Sequence, residues 1–244
     1  MRNIKIIIQF DGTAYHGWQR QENATTVQET VENGLAEILG ERVRVDGCGR
    51  TDAGVHAKGY CCGFKTNGSI PTEKIPEALN AHLPADIVCV DACDVADDFD
   101  VKKSVRKRYT YLINNGNYPD VFGRNYAWYY KYPLDVEKMQ KAAKAFIGEH
   151  DFVGFAASGF TVKTTVRTIY SLDIIPENDI IRIEICGNGF LYNMVRIIVG
   201  TLVFCGMGKM ACDEIPAIIK SCDRTRAGIT APACGLYLSE VNYR

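Results

Sequence analysis

The chain has 244 residues, of which 47% are hydrophobic and 23% are charged, and its formal net charge is −1. This length predicts one large domain or two small ones with a substantial apolar core. The composition excludes a disordered polar chain, and the net charge argues against a uniformly basic nucleic-acid coat while leaving room for a local basic face.

The first half of the chain predicts strands around one well-capped helix. Isoleucines alternate over residues 4–10, which is the period of a strand. Thr26 and Glu29 form a capping box, so we expect a helix that starts there and ends at Gly40. Gly34 inside this helix is expected to mark close packing. Further strands are predicted over 43–45, 60–64 and 87–92, and a short helix over 76–82.

The second half of the chain uses the same kinds of element. Tyr109, Tyr111 and Ile113 alternate along a strand predicted over residues 108–113, so their side chains are expected on one face. The remaining predicted elements are a helix that Asp135 caps and Gly148 ends, a hairpin of strands over 168–175 and 181–186, a buried helix over 190–204 and a last strand over 236–243.

Each half therefore supplies a strand, a helix and more strands, which predicts an α+β fold of two similar α/β subdomains with mainly antiparallel sheets. The charge of the sequence changes sign abruptly near residues 97–104, and we expect the boundary there. The subdomains would be residues 1–104, with the candidate catalytic loop, and residues 105–244. The basic side of this boundary contains Lys102, Lys103, Arg106, Lys107 and Arg108.

Membrane and metal sites are not expected. The longest apolar run, residues 190–207, is interrupted by Asn193 and Arg196, whereas a membrane span needs about 20 apolar residues. The N-terminal residues lead straight into the first strand and give no sign of a secretory signal. The ten cysteines form no Cys-x-x-Cys pair, and the four histidines show no zinc spacing. We therefore expect reduced thiols, no metal and a cytoplasmic protein.

One glycine-rich loop, residues 47–57, stands out as a candidate site. Arg50 and Asp52 alternate, so on an extended backbone they project on one side, where a cation favours the ionised form of a partly buried carboxylate. The same pattern is also typical of a Gly/Asp turn with a structural ion pair. The residues of the loop do not by themselves decide between these interpretations.

Residues 49–57, Gly-Arg-Thr-Asp-Ala-Gly-Val-His-Ala, resemble the signature loop of the TruA family of tRNA pseudouridine synthases. The resemblance extends along the chain, because four other segments are similar to family motifs and occur in family order. These segments are residues 11–21, 108–111, 188–196 and 235–238.

This resemblance implies a pseudouridine-synthase fold with an active-site cleft between the subdomains. It also implies an enzyme that isomerises uridine to pseudouridine in the anticodon stem-loop of tRNA, typically at positions 38, 39 and 40, as a homodimer and without a cofactor. By the same resemblance, Asp52 corresponds to the catalytic aspartate, a nucleophile, and Arg50 to its arginine partner. Tyr109 corresponds to the tyrosine that contacts the target base, and Leu236 would line the uracil pocket.

The chemistry of the reaction suits these residue types. A carboxylate can attack or stabilise the electron-poor sugar centre, as in glycoside chemistry, although the sequence leaves open whether Asp52 attacks C1′, adds to the base or acts on the sugar in another way. The target base must leave its stack, and an aromatic face such as that of Tyr109 recovers about 1–3 kcal/mol. The basic run at 102–108 is expected to meet phosphates, although such a run is often only a solvated face.

Two residues near the signature loop complete the expectations. Tyr60 stands where the family often has glutamine, and we expect it to alter the pocket rim, whereas His56 receives no role.

The alternative function is a catalytically silent RNA-binding protein, an RNA chaperone of the same fold. The intact Arg50 and Asp52 favour the enzyme.

Overall fold

The structure is a computed structural model of the chain and describes residues 1–159 and 162–243. It divides into two compact units. The first contains residues 1–105 and the chain from Tyr237 onward, and the second contains residues 106–236. The α+β class with mainly antiparallel sheets is confirmed.

The first unit is built on a sheet whose strand order is β4-β1-β3-β10. Strand β1 pairs antiparallel with β3 and β4, and β10 pairs parallel with β3 through Tyr237 opposite His56. The short β2 pairs with the far end of β3. The elements of this unit are β1 (Arg2–Phe10), α1 (Val27–Leu39), β2 (Asp46–Gly47), β3 (His56–Thr66), α2 (Ile75–Asn80), β4 (Ile87–Asp94) and β10 (Leu236–Asn242).

The second unit contains an antiparallel sheet of order β5-β9-β8-β7, with the short β6 parallel to β5. The helix α4 is buried along almost its whole length and packs against α3. The elements are β5 (Arg106–Asn114), β6 (Trp128–Tyr129), α3 (Val136–Ala143), β7 (Gly148–Asp151), β8 (Val166–Glu177), β9 (Ile180–Gly187), α4 (Met194–Gly206) and α5 (Ile215–Ser221).

The helix α1 follows its sequence signals closely. The Thr26 side chain accepts a hydrogen bond from the backbone N–H of Glu29, and Gly40 ends the helix with a left-handed φ of 69°. A Cβ atom on Gly34 would lie 2.9 Å from Cδ1 of Leu79. Gly34 therefore allows α1 and α2 to approach closely, as expected.

The strand predicted over residues 43–45 is wrong, because β2 begins only at Asp46. The backbone of Val45 is instead satisfied by side chains of α1. Its N–H donates to Glu32 and its carbonyl accepts from the Gln28 amide, at 3.0 and 2.9 Å. These long-range side-chain contacts replace a strand ladder and are not visible in local sequence.

Two further boundaries differ from the predictions. Gly148 begins β7 instead of ending a helix, because α3 stops at Ala143 and a 3-10 turn follows. The helix α4 starts at Met194 and not at residue 190, because Asn193 adopts a left-handed φ of 59° immediately before it. The structure also places β10 beside β3 of the first unit, whereas sequence order assigned it to the second subdomain.

All ten cysteines are free thiols. Burial raises the pKa of Cys62 well above its ordinary value and that of Cys89 to about 11. These thiols therefore pack as small apolar groups. Across the described residues, the structure contains no helix with the length and apolar character needed to cross a membrane.

Candidate active site

The signature loop connects β2 to β3, and its side chains differ in exposure. Arg50 is exposed, Thr51 is buried and Asp52 is half-buried. The N–H of Val55 donates to the carbonyl of Asp52 at 3.2 Å, and Gly54 has a φ of 76°. Asp52 therefore opens a tight turn that leads into β3, and the projection of Arg50 and Asp52 on one side stays a prediction.

An aromatic pair supports the start of the loop. The ring of Tyr60 stacks on Trp18 with centroids 4.2 Å apart, and its hydroxyl donates to the carbonyl of Gly49. A Cβ atom on Gly47 would lie 2.1 Å from that hydroxyl, so this close approach requires glycine. Tyr60 is 0% exposed. The expectation that it alters the pocket rim is therefore wrong, because its side chain is a buried support of the loop.

Residues 11–18, which we call the bracket segment, hold the other side of the loop. The N–H of Trp18 donates to the carbonyl of Thr51, and the N–H of Gly54 donates to the carbonyl of Tyr15, both at 3.2 Å. A Cβ atom on Gly17 would lie 2.3 Å from the carbonyl oxygen of Thr51. The two backbone segments are therefore in direct contact, which limits how far the backbone at Asp52 can move.

The hydroxyl of Thr51 is a further feature of this loop. Thr51 is 8% exposed, and its Oγ1 is buried without a hydrogen-bond partner among the described residues. A buried hydroxyl without a partner costs about 1–3 kcal/mol, so the loop carries a local energetic cost next to Asp52. Such costs concentrate at functional sites.

Tyr109 lies on β5 of the second unit, opposite Ile185 of β9. Its ring packs edge-on against Phe190 with centroids 5.2 Å apart, and the residue is 9% exposed. Tyr111 shares its face but is 1% exposed, and its hydroxyl donates to the carbonyl of Pro232 at 2.7 Å. Burial raises the pKa of Tyr111 well above its usual value. Tyr111 is therefore a core residue, which leaves Tyr109 as the better candidate to meet a base.

Leu236 is buried at the start of β10, with 5% exposure. The residue before it, Gly235, is closely packed, because a Cβ atom there would lie 2.7 Å from both the carbonyl of Leu112 and the ring of Tyr111. The backbone that leads into Leu236 is thus fixed against β5. Its role in a uracil pocket stays a prediction.

The basic run is not a uniform cationic stripe. The Lys102 ammonium lies 2.8 Å from the carboxylate of Asp46, and the Arg108 guanidinium lies 3.5 Å from that of Glu184. The guanidinium of Arg106 stacks over the ring of Tyr170, 5.0 Å from its centroid. The exposed members of the run are Lys102, Lys103 and Arg106, whereas Lys107 and Arg108 are half-buried. The exposed lysines are accordingly the stronger candidates for phosphate contact.

Arg196, at the end of the family-like segment 188–196, is a further candidate that its sequence context alone does not assign to a role. Its guanidinium donates to the carbonyl of Ala231 at 2.7 Å and to Oδ1 of Asn193 at 2.8 Å. Its charge opposes the effect of burial on the pKa of Cys234. The signal in the sequence was an arginine within an otherwise apolar run, and the structure shows a half-buried cation in a fixed position.

Comparisons with known proteins agree with the motifs. A family model described as tRNA pseudouridine synthase matches residues 6–102 and 142–244. Proteins named tRNA pseudouridine synthase A from Thermoanaerobacter sp. (strain X514) and Acetivibrio thermocellus are 53% and 51% identical over 244 residues, covering 100% of each chain.

Solved structures include a more distant match. A chain of the archaeal box H/ACA sRNP Nop10–Cbf5 complex is 12% identical with a TM-score of 0.39, over 82% of this chain and 43% of that chain. The assignment depends on the family model and the full-length relatives, which together show that this chain belongs to the tRNA pseudouridine synthase family.

Proposed function

We propose that this chain isomerises uridine to pseudouridine in the anticodon stem-loop of tRNA, at positions 38, 39 and 40. The observation that carries the proposal is Asp52, on a turn held by the bracket segment and by Tyr60, within a chain that matches its family over most of its length. A half-buried carboxylate two residues along the chain from the exposed Arg50 suits a reaction at an electron-poor sugar carbon.

The reaction balances without a cofactor. The C1′–N1 bond of the nucleotide breaks, the uracil turns, a C1′–C5 bond forms, and the proton on C5 leaves while N1 gains one. We assign the nucleophile to Asp52, with Arg50 favouring its ionised form. Tyr109 would stack on the displaced base, and its hydroxyl would assist the proton transfer.

Several finer assignments belong to this proposal. Leu236 lines the uracil pocket, and the exposed Lys102 and Lys103 meet tRNA phosphates. The protein acts in the cytoplasm as a homodimer. The resemblance of its motifs supports these assignments, and size measurement in solution tests the dimer.

Asp52→Asn tests the catalytic assignment, since it preserves shape and removes charge. We expect the affinity of the variant for tRNA to lie within a few-fold of the wild-type value. We expect no detectable pseudouridine when unmodified tRNA is incubated with the variant and its modified positions are mapped. Asp173→Asn is the matched control, because Asp173 is exposed on β8 and belongs to neither the signature loop, the bracket segment nor the basic run. This control should retain activity.

The alternative function makes the opposite prediction. An RNA chaperone of the same fold would bind tRNA without converting uridine, so the unchanged protein would yield no pseudouridine. Turnover by Asp52→Asn within tenfold of the unchanged protein would reject the role of Asp52 but not the activity.

A further inference from the structure

His56 is the first residue of β3 and lies near the end of the signature segment, residues 49–57. Its side chain is 2% exposed, and its ring stacks on Tyr237 of β10 with centroids 4.9 Å apart. The ring is therefore enclosed by the protein, and its orientation is fixed by packing as well as by hydrogen bonds.

The ring nitrogen Nδ1 of His56 lies between two groups with opposite requirements. The backbone N–H of Gly12 donates to Nδ1 at 3.0 Å, which requires a lone pair on that nitrogen. The carboxylate atom Oδ1 of Asp11 lies 3.1 Å from the same nitrogen, and a hydrogen bond there requires a proton on Nδ1. A single nitrogen cannot satisfy both groups at once.

The carboxylate of Asp11 already has partners in the structure. Its Oδ1 accepts from the N–H of Thr13 at 2.9 Å and from the Thr13 hydroxyl at 2.5 Å. Asp11 is therefore hydrogen bonded in the neutral-ring state, whereas the Gly12 N–H would lose its acceptor if Nδ1 were protonated. A buried N–H without an acceptor is unfavourable, so the present arrangement is disfavoured once the ring is charged.

The hydrogen bond between the Gly12 N–H and His56 helps to hold the bracket segment against the signature loop. Backbone hydrogen bonds that join Trp18 to Thr51 and Gly54 to Tyr15 act in the same way. A Cβ atom on Gly12 would lie 2.0 Å from the carbonyl of Val55, so the two backbones touch beside His56. Loss of the Gly12 bond would loosen the bracket at the end of the loop that follows Asp52.

We propose that His56 is a positioning residue for the isomerisation, acting through Gly12. The neutral ring fixes the bracket segment and thereby the carboxylate of Asp52, and protonation of Nδ1 exchanges the Gly12 bond for an ion pair with Asp11. Among the described residues, the charged and titratable groups facing the ring include Asp11 and Tyr237, and the Lys58 ammonium lies 5.1 Å from the centroid of the Tyr237 ring. This inference depends on the proposed function, since its readout is pseudouridine formation.

Two variants separate positioning from packing. His56→Asn places its oxygen where Nδ1 stands and keeps an acceptor for Gly12 that cannot be protonated. His56→Gln is closer in volume but places its amide one bond further out. With kcat and KM measured from about pH 5 to 8, we expect kcat to fall on the acid side in the wild-type enzyme and this fall to be smaller in His56→Asn, whose acceptor gains no proton.

At pH 8, the kcat of His56→Asn should stay within about threefold of the wild-type value. The kcat of His56→Gln should fall about 10–100-fold, while its KM changes by less than about threefold. The range reflects the cost of misplacing a reacting group by about 1 Å. Equal kcat for the two variants, or an unaltered acid limb in His56→Asn, would overturn the proposal. If the wild-type enzyme formed no pseudouridine, the proposed function itself would be rejected.

A measurement on the unchanged protein covers the case in which a variant does not fold. Amide hydrogen exchange of Gly12 and the nitrogen resonance of His56 Nδ1 can be followed over the same pH range. We expect protection of the Gly12 amide to fall as Nδ1 gains its proton. The Gly40 amide, which donates to the carbonyl of Ala36 at 3.0 Å outside the bracket segment, is the internal reference. Constant protection of the Gly12 amide while Nδ1 gains its proton would overturn the inference.

Discussion

Tyr109 and Tyr111 show how residues on one strand face take different roles. The Tyr111 hydroxyl donates a hydrogen bond to the carbonyl of Pro232, and Tyr111 is 1% exposed. The Tyr109 ring packs edge-on against Phe190, and Tyr109 is 9% exposed. The alternation of the sequence put both on one face and could not separate them. The contrast in burial makes Tyr111 a matched control for Tyr109.

We expect Tyr109→Phe to bind tRNA as the unchanged enzyme does but to slow isomerisation by about 10²–10⁴-fold, because the C5 proton must be removed. Tyr109→Leu should also lose about 1–3 kcal/mol of base stacking. Single-turnover rates and binding at saturating tRNA measure both effects. Tyr111→Phe should keep its rate while losing about 0.5–1.5 kcal/mol of stability with its hydrogen bond.

Equal rates for Tyr109→Phe and the unchanged enzyme would reject the proton role. Equal rates for Tyr109→Leu would reject the stacking role as well. If Tyr111→Phe were instead the slow variant, the two tyrosines would have to exchange assignments.

At the level of elements, the bracket segment depends on one glycine with an unusual conformation. Gly17 has a φ of 83°, and a Cβ atom there would meet the Thr51 carbonyl at 2.3 Å. Gly40 has a similar φ of 69° with nothing within 4 Å of the corresponding Cβ position. Alanine is strained at both positions by about 1–2 kcal/mol, but only at Gly17 does it also collide with backbone.

We therefore expect Gly40→Ala to lower the free energy of unfolding by about 1–2 kcal/mol and to leave pseudouridine formation intact. Gly17→Ala should destabilise more and should also reduce kcat, because Thr51 must shift and Asp52 follows it in the chain. Denaturant titration and steady-state kinetics on both variants provide the comparison. If Gly17→Ala matched Gly40→Ala in both measurements, the bracket would have no part in placing the loop.

The elements that local sequence predicted best are those whose determinants are local. The cap at Thr26, the stop at Gly40 and the alternation of β1 are set by neighbouring residues, and the structure confirms them. The strand expected near Val45 was wrong because Gln28 and Glu32, distant in sequence, satisfy its backbone.

The candidate site also combines features that local sequence predicts with features that it does not. Asp52 and Arg50 could be selected from the sequence because motif and chemistry coincide there. The support from Tyr60 and the contact between His56 and Gly12 could not, because both depend on which backbone segments meet in the folded unit. Local spacing carries no information about such long-range contacts.

At the scale of the whole molecule, tRNA binding should depend on salt through the exposed end of the basic run. Replacing Lys102 and Lys103 by alanine should weaken all tRNA substrates alike. It should also flatten the fall of log K with log salt by somewhat under one unit for each lost contact. Lys102 already pairs with Asp46, so Lys103 alone should contribute the larger share.

Replacing Lys141 and Lys144, which are exposed in and just after α3, by alanine changes the net charge equally and serves as the control. Binding measured between about 50 and 200 mM salt distinguishes the pairs. An unaltered slope for the Lys102 and Lys103 variant would show that this part of the run faces solvent away from RNA.

The parallel pairing of β10 with β3 also has a consequence for synthesis on the ribosome. The first unit lacks its last strand until all of residues 106–236 have been translated, which takes on the order of 10 s at roughly 5–20 residues per second. During that interval the His56 end of β3 is an unprotected strand edge, open to pairing with another nascent chain. Chains interrupted before Tyr237 would keep that edge, and we expect them to aggregate and to be degraded instead of competing for tRNA.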